Sequence, residues 1–191
     1  MKKTLLQQFI GEWNTKTIVG VAIGAALFGV LMVYGGVKIF TNTSLSTALL
    51  IPVIVGALFG PLPAFVACFL GNVLADTLGA WGYWWDWSIG NGVLGLLIGL
   101  LPLYGARIAL GKFTIKHAVI YSLIAIFGNI LAFGVITPIF TVLFYGGELT
   151  ITLFQAQVAA YANAGVLIFL GLPLLYALAL RNKSSQNLTK E

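Results

Sequence analysis

Apolar residues run along the chain in long stretches with almost no charge, and the breaks between them are short, polar or rich in glycine and proline. A helix that is hydrophobic all round belongs in a large core or in lipid. A bilayer takes about 20 apolar residues per helix, and shorter runs serve where protein covers them. Six runs qualify, over 17–37, 45–59, about 64–78, about 89–106, about 115–144 and about 153–180. The second and third are short and are joined tightly by the "GPLP" of 60–63. The fifth is long enough to kink at Pro138, whose ring removes a helix hydrogen bond. The pattern therefore predicts an all-α integral membrane bundle of six transmembrane helices. An amphipathic lead-in covers 1–16, the membrane domain 17–181 and a cytoplasmic tail 182–191.

Composition strengthens this reading. Of the 191 residues, 60% are hydrophobic and 8% charged, and the mean hydropathy is +1.01. A soluble domain carries about a quarter charged residues, so a water-exposed fold this apolar could not cover its own surface. Disorder is excluded on the same ground, because low hydrophobicity is its signature. The single cysteine, Cys68, gives no disulfide framework and no metal-type Cys/His spacing. The opening "MKKTLLQQFIGEWNTK" does not read as a signal peptide, since Gln7, Gln8, Glu12 and Asn14 break its apolar stretch. It reads as a short helix on the membrane surface.

Charge then sets orientation. Six spans put both termini on one side, together with the 60–63 turn and the 107–116 loop. That side collects Lys2, Lys3, Lys16, Arg107, Lys112, Lys116, Arg181, Lys183 and Lys190, nine of the ten basic residues. By the positive-inside rule it is cytoplasmic. The basic residues are accounted for by topology and anionic lipid, with no call for nucleic acid. His117, among them, is expected to be solvated. The opposite side holds Lys38 with Asp76, Asp86 and Glu148.

On that outer side lies "GNVLADTLGAWGYWWDWSIGNG", residues 71–92, with four tryptophans, a tyrosine and two aspartates. Trp and Tyr anchor helices at the lipid–water boundary. The cluster Trp81, Tyr83, Trp84, Trp85, Asp86 and Trp87 is too dense for all its rings to reach headgroups, so a mixed role is expected, some anchoring and some lining a pocket. A flat, weakly polar ligand would stack on such rings and bond to nearby carboxylates and amides. Asn72 and Asp76 share a helix face. Asn91, Asn129, Gln155, Gln157, Tyr161 and Asn163 lie at membrane depth, where polar groups mark a ligand or ion path or bond one helix to another. Asp86 is expected to be solvated or to cap the fourth helix. In the first helix, Gly20, Gly24, Ala22 and Ala26 recur at four-residue spacing, which suits either packing within the bundle or docking of a separate membrane subunit.

No Walker-type loop, HExxH or G-x-S-x-G is present, so neither ATP hydrolysis nor hydrolase chemistry has a visible site. No enzyme, cofactor or metal is expected. One acidic, aromatic outer site without an obvious inverted repeat makes a poor standalone transporter. A small binding protein that works with a partner remains.

The "AIGAA" of the first helix, "GALFGPLPAFVACFLGNVLAD", "YWWDWSIGNGVLGLLIGL", "GNILAFGVITP" and "NAGVLIFLGLPLLYAL" together resemble the substrate-binding S components of energy-coupling factor (ECF) vitamin transporters, and more narrowly the riboflavin-type branch. The resemblance spans nearly the whole chain. It implies a bacterial plasma-membrane protein that captures a vitamin or vitamin precursor outside the cell and topples within the bilayer. It further implies a membrane T component and two ATPases as partners, with Ala22 and Ala26 against the T component. It places a substrate pocket in the outer halves of helices four to six, at Asp76, Trp84, Trp85, Asn91, Asn129, Gln157, Tyr161 and Asn163. Rings, amides and a carboxylate suit a small heteroaromatic such as hydroxymethylpyrimidine, thiamine, pyridoxine or riboflavin. The lack of outward cations beyond Lys38 argues against a polyanion. Two other readings stay open: an ion-coupled permease using Asp76, and a non-transport assembly or sensor subunit.

Overall fold

The structure, a computed structural model, describes residues 4–40 and 43–188. Helix α1 (Leu5–Ile10) begins at Thr4, whose side chain and that of Gln7 form a reciprocal cap. Helix α2 (Thr15–Tyr34) starts where Asn14 Oδ1 accepts the Thr17 N–H at 3.0 Å. After it come β1 (Gly36–Phe40) and β2 (Thr43–Ser46), an antiparallel pair with Val37 opposite Leu45 and Gly36 opposite Ser46. A single 3-10 turn, Thr47–Leu49, leads into α3 (Leu50–Phe59). The remaining helices are α4 (Pro61–Leu78), α5 (Trp85–Ile98), α6 (Ile115–Leu131), α7 (Thr137–Tyr145), α8 (Leu149–Val166) and α9 (Leu172–Leu188).

Five helical segments are long and apolar enough to cross a membrane: Thr15–Tyr34, Pro61–Leu78, Trp85–Tyr104, Ile115–Tyr145 and Leu149–Ser184. Thr47–Phe59 is apolar but shorter. The architecture is thus an all-α membrane bundle with one addition, the hairpin between α2 and α3, which falls between the first two apolar runs. The last helix continues through Leu188.

Consecutive segments run up and down. At one end, Gly11 abuts Phe59 and Pro63, the Gly60 turn lies against Gly99, and Gly111 lies against Lys183. Both terminal helices therefore reach the same end of the bundle. The other end gathers the hairpin, residues 79–84 and the start of α8. The "GPLP" turn works because Gly60 takes φ +99°, a left-handed value that suits glycine, and Pro61 opens α4 where no N–H is needed.

Helix α4 is central, packed on α2 on one side and α5 on the other. Close approach depends on missing side chains: a Cβ on Gly71 would stand 2.7 Å from Phe28 Cβ, and one on Gly56 2.5 Å from Gly99 Cα. One core joins Val21, Phe28, Ile51, Val55, Ala67 and Cys68 of α2, α3 and α4. The other joins Val53, Leu94, Ile98, Tyr121, Phe133, Leu167 and Leu175.

The expected kink at Pro138 takes the form of a π turn, Ala132–Ile136, just ahead of it. Pro138 has no N–H to donate, and the Thr137 hydroxyl instead donates to the Ala132 carbonyl at 2.9 Å. A second π turn, Leu167–Gly171, joins α8 to α9 and is held by the Tyr121 hydroxyl, which donates to the Leu167 carbonyl at 3.2 Å.

Candidate functional site

The sequence 71–92 folds so that the end of α4 organises the start of α5. Asp76 is buried, and its Oδ2 accepts the Trp84 N–H at 2.9 Å, one of the free amides that precede the first helical turn. A carboxylate at a helix N-terminus is favoured by the aligned peptide dipoles. Asn72, one turn earlier on the same face, donates to Ser88 Oγ at 3.1 Å and lies 3.4 Å from Asp76 Oδ2. Asn91 donates to Asn72 Oδ1 at 3.0 Å and to the Trp87 carbonyl at 3.0 Å. Asp76, Asn72, Ser88 and Asn91 thus form one buried polar network between α4 and α5.

Asp86 corrects an expectation. It is neither solvated nor an N-cap: it lies in the first turn of α5 with 0% of its surface exposed. Its Oδ2 accepts a hydrogen bond from the Thr141 hydroxyl of α7, while Oδ1 has no partner. Burial follows from local packing, because Gly90 lets Thr137 and Phe133 close over that face of α5.

Above the network sits a collar of rings. Trp81, Tyr83, Trp84 and Trp85 are exposed at the bundle end, whereas Trp87 turns inward against Phe133, ring centroids 5.6 Å apart. Tyr145 ties the collar down: its hydroxyl accepts the Trp85 N–H at 3.0 Å, donates to the Tyr83 carbonyl at 3.1 Å, and its ring meets that of Trp84 at 5.0 Å.

Of the other residues expected at the site, Asn129 is fully buried on α6, donating to the Ala125 carbonyl at 2.6 Å with Oδ1 unpartnered. Gln157 is half-buried on α8, with its amide against Gly134 in the first π turn. Asn163 is half-buried. Tyr161 is 67% exposed, on the same outward stripe as Phe154 and Phe169, and does not join the network. Sequence reasoning missed Thr137, Thr141 and Tyr145, and passed over Trp87 as a site residue. The two threonines carried a signal, being polar, one turn apart and beside the one proline of a long apolar run.

The small residues of α2 divide between two faces. Gly24, Ala25 and Gly29 are buried against α3 and α4, while Ala22 and Ala26 are exposed among Ile18, Ile23, Leu27 and Val30.

Two clefts open at the opposite end. One, of about 300 Å³, lies between Gln7–Thr17 and Leu58–Gly60; the other, of about 560 Å³, is lined by Lys112, Phe113, His117 and Lys183. Neither contains a residue expected at the site. His117 there is not simply solvated: its Nδ1 accepts the Thr114 N–H at 3.2 Å, capping α6, and its ring lies against Tyr104 and Phe113. Among the described residues no group of three or more His, Cys, Asp or Glu could hold a metal ion.

Comparison with known proteins adds the family. The family described as "ECF-type riboflavin transporter, S component" matches residues 12–180. The chain belongs to this S-component family. It is 34% identical over 182 residues to a UPF0397 protein of Vibrio atlanticus, covering 94% of this chain and 99% of that one. Similar relatives are UPF0397 proteins of Aliivibrio fischeri, 35% identical with 93% and 97% covered, and of Vibrio vulnificus, 36% identical with 93% and 98% covered. S components are transporter subunits rather than enzymes, and the apolar helices agree with a multi-pass membrane protein.

Proposed function

We propose that this S component is the substrate-binding subunit of an ECF importer in a bacterial plasma membrane, capturing a small water-soluble vitamin or vitamin precursor at its aromatic end. It crosses the bilayer six times with both termini cytoplasmic, the Thr47–Phe59 segment making the shortest passage. A membrane T component and two ATPases provide the energy. The exposed Ala22 and Ala26 face of α2 meets the T component.

The observation that carries the reading is the buried network of Asp76, Asn72, Ser88 and Asn91 under a collar of five aromatic rings. Polar groups are costly at membrane depth and by default mark function there. Rings give a flat solute stacking surface, and amides and carboxylates fix its orientation. The pocket takes Asp76, Asn91, Asn129 and Gln157 from the inner faces and Trp84 and Trp85 from the collar, with the half-buried Asn163 lower on α8, while the outward-facing Tyr161 lies outside it.

The test is to purify the chain in detergent without partners, denature it and identify any small molecule released by mass spectrometry. A stoichiometric heteroaromatic whose return quenches tryptophan fluorescence in the wild type, and fails to do so in Asp76→Ala, is the expected result. An empty protein whose fluorescence answers to no vitamin would favour an assembly subunit instead.

A further inference from the structure

Three buried side-chain oxygens of α5 and α6 have no hydrogen-bond donor: Asp86 Oδ1, Asn91 Oδ1 and Asn129 Oδ1. All three residues are at least 98% buried. In folded proteins buried acceptors are nearly always paired, so three on the packed helices α5 and α6 call for an explanation. Their amide nitrogens are already committed, Asn91 to Asn72 and Trp87, Asn129 to Ala125. Asn91 has both amide hydrogens engaged and offers only its oxygen, while Asn129 offers its oxygen beside a second N–H. Asp86 and Asn91 lie on either side of Trp87 in sequence, and Asn129 lies one helical turn before Phe133, the ring against which Trp87 packs.

The charge of this region has one sign. Asp76 and Asp86 lie at the same helix N-terminus, and among the described residues no Lys, Arg or His pairs with either. The nearest cation in sequence on this end, Lys38, is exposed on the hairpin. Carboxylates beside electron-rich ring faces form the arrangement that attracts organic cations.

We infer that the solute bound at this site is a cation that presents N–H or O–H donors to Asp86, Asn91 and Asn129 while its charged ring or ammonium group lies near the Trp87 and Phe133 faces. The inference rests on the binding-subunit reading above and narrows it. A neutral flavin, whose ring edge carries two carbonyl oxygens, would set acceptor against acceptor here. A phosphorylated solute would meet two carboxylates with no cation to receive it.

The test uses the full chain in lipid nanodiscs and charge-matched pairs: thiamine against its analogue with carbon in place of the quaternary thiazolium nitrogen, pyridoxamine against pyridoxine, and aminomethyl- against hydroxymethyl-pyrimidine. Riboflavin is the neutral reference, and binding is read by tryptophan quenching and calorimetry. At least one cation is expected to bind about tenfold or more tighter than its neutral partner. In Asp86→Asn that preference is expected to fall below about threefold, because the cation loses more affinity than its neutral partner does. Neutral members or riboflavin binding as tightly as the cations would overturn the inference and leave the binding-subunit reading standing. Silence across the whole panel would overturn both. Because the wild-type comparison needs no variant, a poorly folding Asp86→Asn would not shelter the inference.

Discussion

At one end of the bundle Lys16, Arg107, Lys112, Lys116, Arg181 and Lys183 all stand exposed, and the polar groups of Thr4, Asn14, Thr114 and His117 are engaged in capping helices. At the other end Asp76 and Asp86 are 5% and 0% exposed, wired to amides and hydroxyls, with acceptors left over. Both ends are polar, yet they use polarity differently. Exposed charge sets which way the chain sits in the membrane and how it meets lipid. Buried, incompletely paired polarity costs stability and is kept where it does something else.

The contrast can be broken most forcefully at Asp76. Asp76→Ala removes the acceptor that caps α5 and the anchor of the network, and is expected to weaken ligand binding by about 100-fold, near 2.7 kcal/mol, in a tryptophan-quenching titration. The double variant Lys112→Ala with Lys183→Ala, at the opposite end, is expected to stay within about twofold in the same assay, since exposed charges far from the site contribute little. Asn91→Leu comes next. It strands Asn72 Oδ1 and is expected to lower binding about tenfold and stability by about 1–3 kcal/mol, followed by thermal unfolding in detergent. Tyr145→Phe removes the hydroxyl that links Tyr83 and Trp85 but keeps the ring on Trp84; about 1 kcal/mol and a several-fold faster ligand release are expected from stopped-flow fluorescence. The smallest effect on the isolated protein is expected for Ala22→Trp, within about 0.5 kcal/mol because the position is exposed. The same variant is expected to abolish uptake by the assembled transporter, while ligand binding by the isolated subunit persists.

The bundle was largely legible because lipid demands long apolar runs, and those runs are written in one dimension. Runs at 17–37, 64–78 and 115–144 reappear as α2, α4 and the α6–α7 pair within a few residues. The hairpin was not legible, since residues 36–46 are too short and too mixed to show either period. At the site, Asn72 and Asp76 were readable from i to i+4 spacing on one helix. The Asp86–Thr141 and Tyr145–Tyr83 bonds join residues 55 and 62 positions apart, which no local pattern encodes. The fates of Ala22 and Gly24 were likewise undecidable from spacing, because both sit in equally regular series and only the position of α4 tells inward from outward.

The ligand is expected to bind at the aromatic, acidic end. Amide hydrogen exchange of the full chain in nanodiscs, with and without whichever of thiamine and riboflavin quenches its tryptophans, addresses it directly. Slower exchange on ligand addition over 83–91 and 129–141, with no change over 105–117, is the predicted result. Protection confined to 105–117 and the Lys183 region would place the ligand in the basic cleft and contradict the account.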